Sequence, residues 1–190
     1  VLEVLEGVEH DLTTHEVGKA LALLLRGNGN VLERLLSPLQ LYETDGLTQL
    51  RALAQGALSA RFASHYRGYF GGMCREHQRE RRAKTLLYAY RVALTGIHLL
   101  ETGELRMDVS ANAADHGFDV AELIEFKRDE HEKAALPEAL DQMHRASWPA
   151  LTQRLSDALD RTALPTDPAN EREIEAWLVH ERLDALGAGA

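Results

Sequence analysis

The stretch KTLLYAYRVALTGIHLLETG, residues 84–103, constrains the fold more than any other part of the chain. Leu87, Tyr90, Leu94 and Ile97 step by three, four and three, the spacing of one buried helix face, and Gly103 follows as a helix stop. The spacing predicts a helix over residues 84–101. A chain that contains it must bring other apolar surfaces to cover the stripe.

Those surfaces recur along the sequence at helical spacing. Val17, Leu21, Leu24 and Leu25 predict a helix with Thr14 as its N-cap and Glu16 in its first turn. In the break GNGN, Gly27 and Asn28 tolerate a left-handed backbone and close that helix, and a short one follows from Val31 to Leu36, before Pro38. Asp45 can cap a helix carrying Leu47, Leu50, Leu53 and Ala54, and Ser59 a longer one running to about Gln78. Residues 103–119 read as irregular. Asp119 opens a helix with Val120, Leu123 and Ile124, and another from about Pro137 carries Leu140, Met143, Leu151, Leu155 and Leu159, kinked or split at Pro149. Asn170 can cap a last helix with Ile174, Trp177, Leu178 and Leu183. Only Val8–Leu12 alternates like the end of a strand. The expected fold is mainly α, a bundle of about seven helices with a remnant strand at the N-terminus.

Composition excludes several classes. The chain has 190 residues, 45% of them hydrophobic, enough for a real core. No apolar run approaches the length of a membrane span, and VLEVLEGVEHDL lacks the basic start of a secretory signal, so no membrane partner is expected. Cys74 is the only cysteine, which removes an intrachain disulfide and fits a reducing cytoplasm. The sequence does not begin with Met and its first residues already fall in an apolar pattern, which suggests a natural beginning upstream. A net charge of −9 argues against coating nucleic acid by bulk attraction, yet Arg61, Arg67, Arg75, Arg79, Arg81, Arg82 and Lys84 make a basic island opposed only by Glu76 and Glu80. A solvated helix face explains the island equally well.

Chemistry concentrates on the 84–101 helix. Lys84, Tyr88, Arg91, Thr95 and His98 form a second stripe, stepping by four, three, four and three. A phosphate-rich ligand suits such a face, because Lys offers a mobile charge, Arg a planar fork, Tyr a stacking surface and His a group that titrates near neutrality. The alternative is a solvent face, although such faces usually mix in acids and this one has none before Glu101. Arg91 and His98 also fit the Arg-x4-6-His spacing of HEPN-type helical ribonucleases, where the His would act in acid-base cleavage of RNA. Cys74 and His77 lack a second metal-binding pair, His131 lacks a helical His partner, and GNGN lacks the Lys-Ser/Thr of a phosphate loop. Asp11, with Glu9 two residues before it, could sit on one face of the front strand, and carboxylates on strands are a usual way to hold Mg²⁺.

The segment from Asp11 to Pro38, a strand end, a Lys-containing helix, a Gly-Asn turn and a Leu-Glu-rich helix, resembles a family of predicted nucleotidyltransferases in the DNA polymerase beta superfamily. That family includes polymerase-like proteins associated with RNA repair operons. KTLLYAYRVALTGIHLLETGEL and the turn ALPTDPAN resemble it as well. The resemblance implies residues 1–40 as the end of a nucleotidyltransferase core and 41–190 as a helical C-terminal domain, within an α+β whole. It implies transfer of a nucleoside monophosphate from an NTP to an acceptor such as an RNA end, with Mg²⁺. Lys84, Tyr88, Arg91 and His98 would face the nucleotide, and Asp11, in competition with Glu9, would be the third metal carboxylate. The superfamily's Gly-Ser turn and Asp-x-Asp pair occur nowhere in this sequence, so the chain alone is expected to be inactive. A non-catalytic helical interaction module is the remaining reading.

Overall fold

The computed structural model describes residues 2–5, 8–11, 13–129 and 135–187. At the front, β1 (Leu2–Leu5) and β2 (Val8–Asp11) pair antiparallel, with Leu2 opposite Asp11 and Leu5 opposite Val8. The rest is helical, with ten helices among the described residues where the sequence pattern suggests about seven. They are α1 (Val17–Leu25), α2 (Gly29–Leu36), α3 (Asp45–Gly56), α4 (Phe62–Glu80), α5 (Ala83–Thr102), α6 (Val109–His116), α7 (Ala121–Asp129), α8 (Glu138–Arg145), α9 (Trp148–Arg161) and α10 (Glu171–Gly187). None is long and apolar enough to cross a membrane.

The added helices have local causes. Residues 103–119 are not irregular throughout: the Asp108 carboxylate accepts from the Ala111 N–H at 2.8 Å and starts α6, which Gly117 ends at a φ of 73°. Its alanine-rich middle, ANAAD, gave no apolar periodicity to follow. Pro149 does split the segment after Pro137, and it lies in the first turn of α9, where its missing N–H costs nothing.

Caps also move by a residue or two. Glu16, not Thr14, caps α1, accepting from the N–H groups of Gly18 and Lys19 at 2.9 and 2.7 Å. Thr44, not Asp45, caps α3 through Leu47 at 3.1 Å. Ser59 caps nothing, because α4 begins three residues later and the Ser59 side chain is buried. Asn170 precedes α10, but its amide reaches across to the Leu53 carbonyl at 2.9 Å instead of capping. The Gly-Asn break divides its work: Gly27 takes the left-handed backbone at φ 80°, while Asn28 is extended and caps α2 through Val31 at 3.2 Å.

Helix α5 is the axis of the body. Fifteen of its twenty residues are buried, and α4, α6, α7 and α9 all pack on it. One apolar core runs without interruption from Leu21 and Leu24 of α1 to Ile174 of α10, across residue 40, where an exposed segment carries Leu39, Leu41 and Tyr42. Helices α4, α5 and α9 approach closely at Gly96, where an added Cβ would lie 2.6 Å from the Tyr66 Cβ and 3.1 Å from a Leu155 methyl.

Gly96→Ala is therefore expected to lower stability by about 1–3 kcal/mol through overpacking, in spite of the better helix propensity of Ala. Gly68→Ala, where an added Cβ meets nothing within 4 Å, should raise it by about 0.5–1 kcal/mol. Urea denaturation of both variants beside the parent checks the contrast.

Candidate functional site

The second stripe of α5 divides in the structure. Its N-terminal part reaches the surface: Lys84 is exposed, Tyr88 is 37% exposed and Arg91 is half-buried. Its C-terminal part does not, because residues 92–100 are buried on every side, including Thr95 and His98. The five residues share a helix face but not an environment, which corrects the reading of one continuous ligand-facing or solvent-facing stripe. The cause lies in VALTGIHLL, where apolar residues surround the two polar ones on all sides.

Lys84, Leu87, Tyr88 and Arg91 form one wall of a depression of about 430 Å³. Asp108, Val109 and Ser110 at the start of α6 and Ile124 and Lys127 of α7 form the other. Three cations therefore meet one carboxylate, that of Asp108, which is occupied with its own helix cap. Beyond Lys84 and Tyr88 lies a second depression of about 480 Å³, bordered also by Tyr69, Glu76 and Arg82. Tyr69 and Tyr88 stand edge to face, with ring centres 6.1 Å apart.

Arg91 is held in place from two sides. Its guanidinium lies 4.6 Å from the centre of the Tyr88 ring, and Nη1 donates to Glu33 of α2 at 2.8 Å. Glu33 also accepts from the Tyr66 hydroxyl at 3.3 Å. Burial would lower the Arg91 pKa, but the Glu33 carboxylate outweighs it and keeps Arg91 above the ordinary guanidinium value. Burial and the same carboxylate push the Tyr66 hydroxyl well up. Glu33 escaped the sequence reading, yet its position carried a signal, since Val31, Leu32, Leu35 and Leu36 surround it and an acid set so deep in an apolar helix requires a partner. Lys127 and Tyr69 showed no such signal; tertiary packing alone brings them beside α5.

His98 belongs to a different cluster. Its Nδ1 accepts from Arg106 at 3.3 Å, and Arg106 also binds Asn112 at 2.6 Å and the Asp115 carboxylate. The His116 ring lies 6.3 Å away, and Arg154 donates to the His116 carbonyl at 3.1 Å. Burial, followed by the Arg106 and His116 charges, holds His98 below the usual imidazole range. Arg91 thus borders the α6–α7 depression, while His98 is buried in a cluster with Arg106 and His116.

Three arginines of the basic island are tied down by acids. Arg61 binds Asp167 at 2.7 Å and the Leu25 carbonyl at 2.9 Å, Arg81 binds Glu138 at 2.6 Å, and Arg82 lies 3.6 Å from Glu80. His77 is fully buried between Thr85 and Asp141, at 2.9 and 2.6 Å. No three His, Cys, Asp or Glu side chains among the described residues converge to hold a metal. The front pair, Glu9 and Asp11, lies on β2 opposite Val4 and Leu2 in the backbone register, and His131 lies outside the described residues.

The chain is thus a helical body with a basic, tyrosine-bearing depression on α5. The model of the RNA repair pathway DNA polymerase beta family matches residues 1–180, and the chain belongs to that family. Among curated proteins it is similar to the uncharacterized protein MJ0002 of Methanocaldococcus jannaschii, 26% identical over 178 residues that cover 91% of this chain and 72% of that one. No solved structure matches.

Two outcomes are expected. Glu33→Gln, which leaves the Arg91 charge half-buried without its carboxylate, should cost about 2–3 kcal/mol in urea denaturation. Separately, burial first of all holds His65, His98, His116 and His144 below the ordinary imidazole range. The unfolded chain takes up protons near pH 6.5 while the folded one does not, so stability should be full above about pH 6.5 and fall as the pH drops below it. Denaturation midpoints at a series of pH values check the slope, which should be shallower in His98→Gln.

Proposed function

We propose that this chain supplies the nucleotide-facing helical part of a nucleotidyltransferase that moves a nucleoside monophosphate from an NTP to an acceptor, an RNA end being the acceptor that the family's description favours. The observation that supports this reading is the convergence of Lys84, Arg91 and Lys127 with the Tyr88 ring around one depression. Lys84 and Lys127 would act on the triphosphate as point charges. Arg91, oriented by Glu33, would offer its planar fork to a phosphate oxygen, and Tyr88 would stack on the base.

Mg²⁺ belongs to this reading through the family alone. The described residues do not assemble a metal site, and the sequence contains no Asp-x-Asp pair. Asp11, at the end of β2, is the carboxylate we would assign to that role. On this reading the chain alone does not transfer nucleotides. His98 is assigned to packing of α5 and α6 instead of to the nucleotide.

Incorporation from labelled NTPs by the full gene product, compared with this chain alone, tests the proposal, and activity of the chain alone would overturn it. In NTP titrations, Lys84→Ala, Arg91→Ala and Lys127→Ala are each expected to weaken binding by about 1–3 kcal/mol. Unchanged affinity in all three would return this face of α5 to a structural role.

A further inference from the structure

A second site lies on the other side of α4, where α4 meets the ends of α8 and α9. Phe70, Trp148 and Leu155 wall a depression of about 440 Å³, and Gly71 leaves one side of it open. It shares no lining residue with the two depressions around Lys84 and Tyr88. Two guanidiniums, of Arg67 and Arg145, border it, and none of its lining residues is acidic.

Arg67 donates to the Ser156 hydroxyl at 3.4 Å, while Arg145 and Trp148 are incompletely satisfied. Arg145 stands 5.5 Å from the centre of the Trp148 ring and reaches Asp141 at 3.4 Å, but that carboxylate is already bound by His77 at 2.6 Å. The Arg145 Nε and the Trp148 Nε1 are buried with no hydrogen-bond partner among the described residues. Trp148 and Pro149 form the first turn of α9, so the positive end of that helix dipole adds to the two guanidiniums. Cys74 also lines the depression, and burial pushes its thiol up to about 11, so it is a neutral wall and not a nucleophile.

We propose that this depression binds a small aromatic anion, with its ring against Trp148 and Phe70 and its anionic head between Arg67 and Arg145. The volume suits a molecule of one or two rings, and an apolar wall with a few directed polar groups is the usual form of a small-ligand site. The anionic head, a phosphate monoester or a carboxylate, is the common chemistry; the ring is what separates this ligand from a free inorganic anion.

Calorimetric titration of the unaltered chain with phenyl phosphate, benzoate, benzyl alcohol and inorganic phosphate tests the proposal. At least one of the two aromatic anions should bind about tenfold or more tightly than the neutral alcohol and the inorganic ion, and which one does identifies the head group. Trp148 fluorescence should be quenched on binding, read in a Trp177→Phe background that leaves it the only indole. Arg67→Ala should weaken binding about tenfold or more. Gly71→Leu fills the depression from a position where an added Cβ makes only ordinary contact, 3.5 Å from Arg75, so it should abolish binding without lowering Tm. Absence of binding up to about 10 mM, equal binding of benzyl alcohol, or undiminished binding by Gly71→Leu would each overturn the proposal.

Discussion

Burial of α5 on nearly every side is the constraint on which the rest of this structure depends. A helix of twenty residues with fifteen inside cannot be covered by one neighbour; it needs α4, α6, α7 and α9 around it. The same burial leaves Lys84, Tyr88 and Arg91 reaching the surface in its N-terminal turns. Farther along, His98 is met inside by Arg106, whereas the buried Thr95 hydroxyl has no hydrogen-bond partner among the described residues.

Polar contacts around this axis join elements far apart in sequence. His77 links α4 to α8 through Asp141, where burial favours the neutral acid but the His77 and Arg145 contacts prevail and hold the carboxyl below its usual range. Asn170 ties the start of α10 to the end of α3, and Arg61 ties the start of α4 both to Asp167 and to the carbonyl that ends α1. Apolar packing draws the helices together without much direction; the buried His77–Asp141 bond in particular selects which helix end meets which, since leaving it unmade inside would be costly.

Much of the helical architecture was legible because its signals are local. The stripe Leu87, Tyr90, Leu94 and Ile97 is buried as spacing requires, Gly103 ends α5 in the left-handed region, and Pro149 divides α8 from α9. Helix α6 was not legible, since ANAAD has no apolar period, and cap positions shifted where two candidates, such as Thr44 and Asp45, stand side by side. At the candidate site, Lys84, Tyr88 and Arg91 could be grouped from spacing alone. Glu33 and Lys127 could not, because their place beside α5 is a product of packing between helices and not of any repeat. His98 was misgrouped for a related reason: helical spacing gives direction around one axis but says nothing about what stands opposite.

The Gly-Asn break gains a further meaning from the partner its second helix supplies. Glu33 and Arg91 are 58 positions apart, so their ion pair exists only where tertiary packing holds α2 against the helical body. Contacts that span so much chain form late in comparison with the turn-by-turn growth of a helix. The orientation of Arg91 is thus a record of completed folding. Without α2 in place, Arg91 would keep Lys84 and Tyr88 beside it along α5, but only the Tyr88 ring to hold its guanidinium, with no carboxylate to aim it.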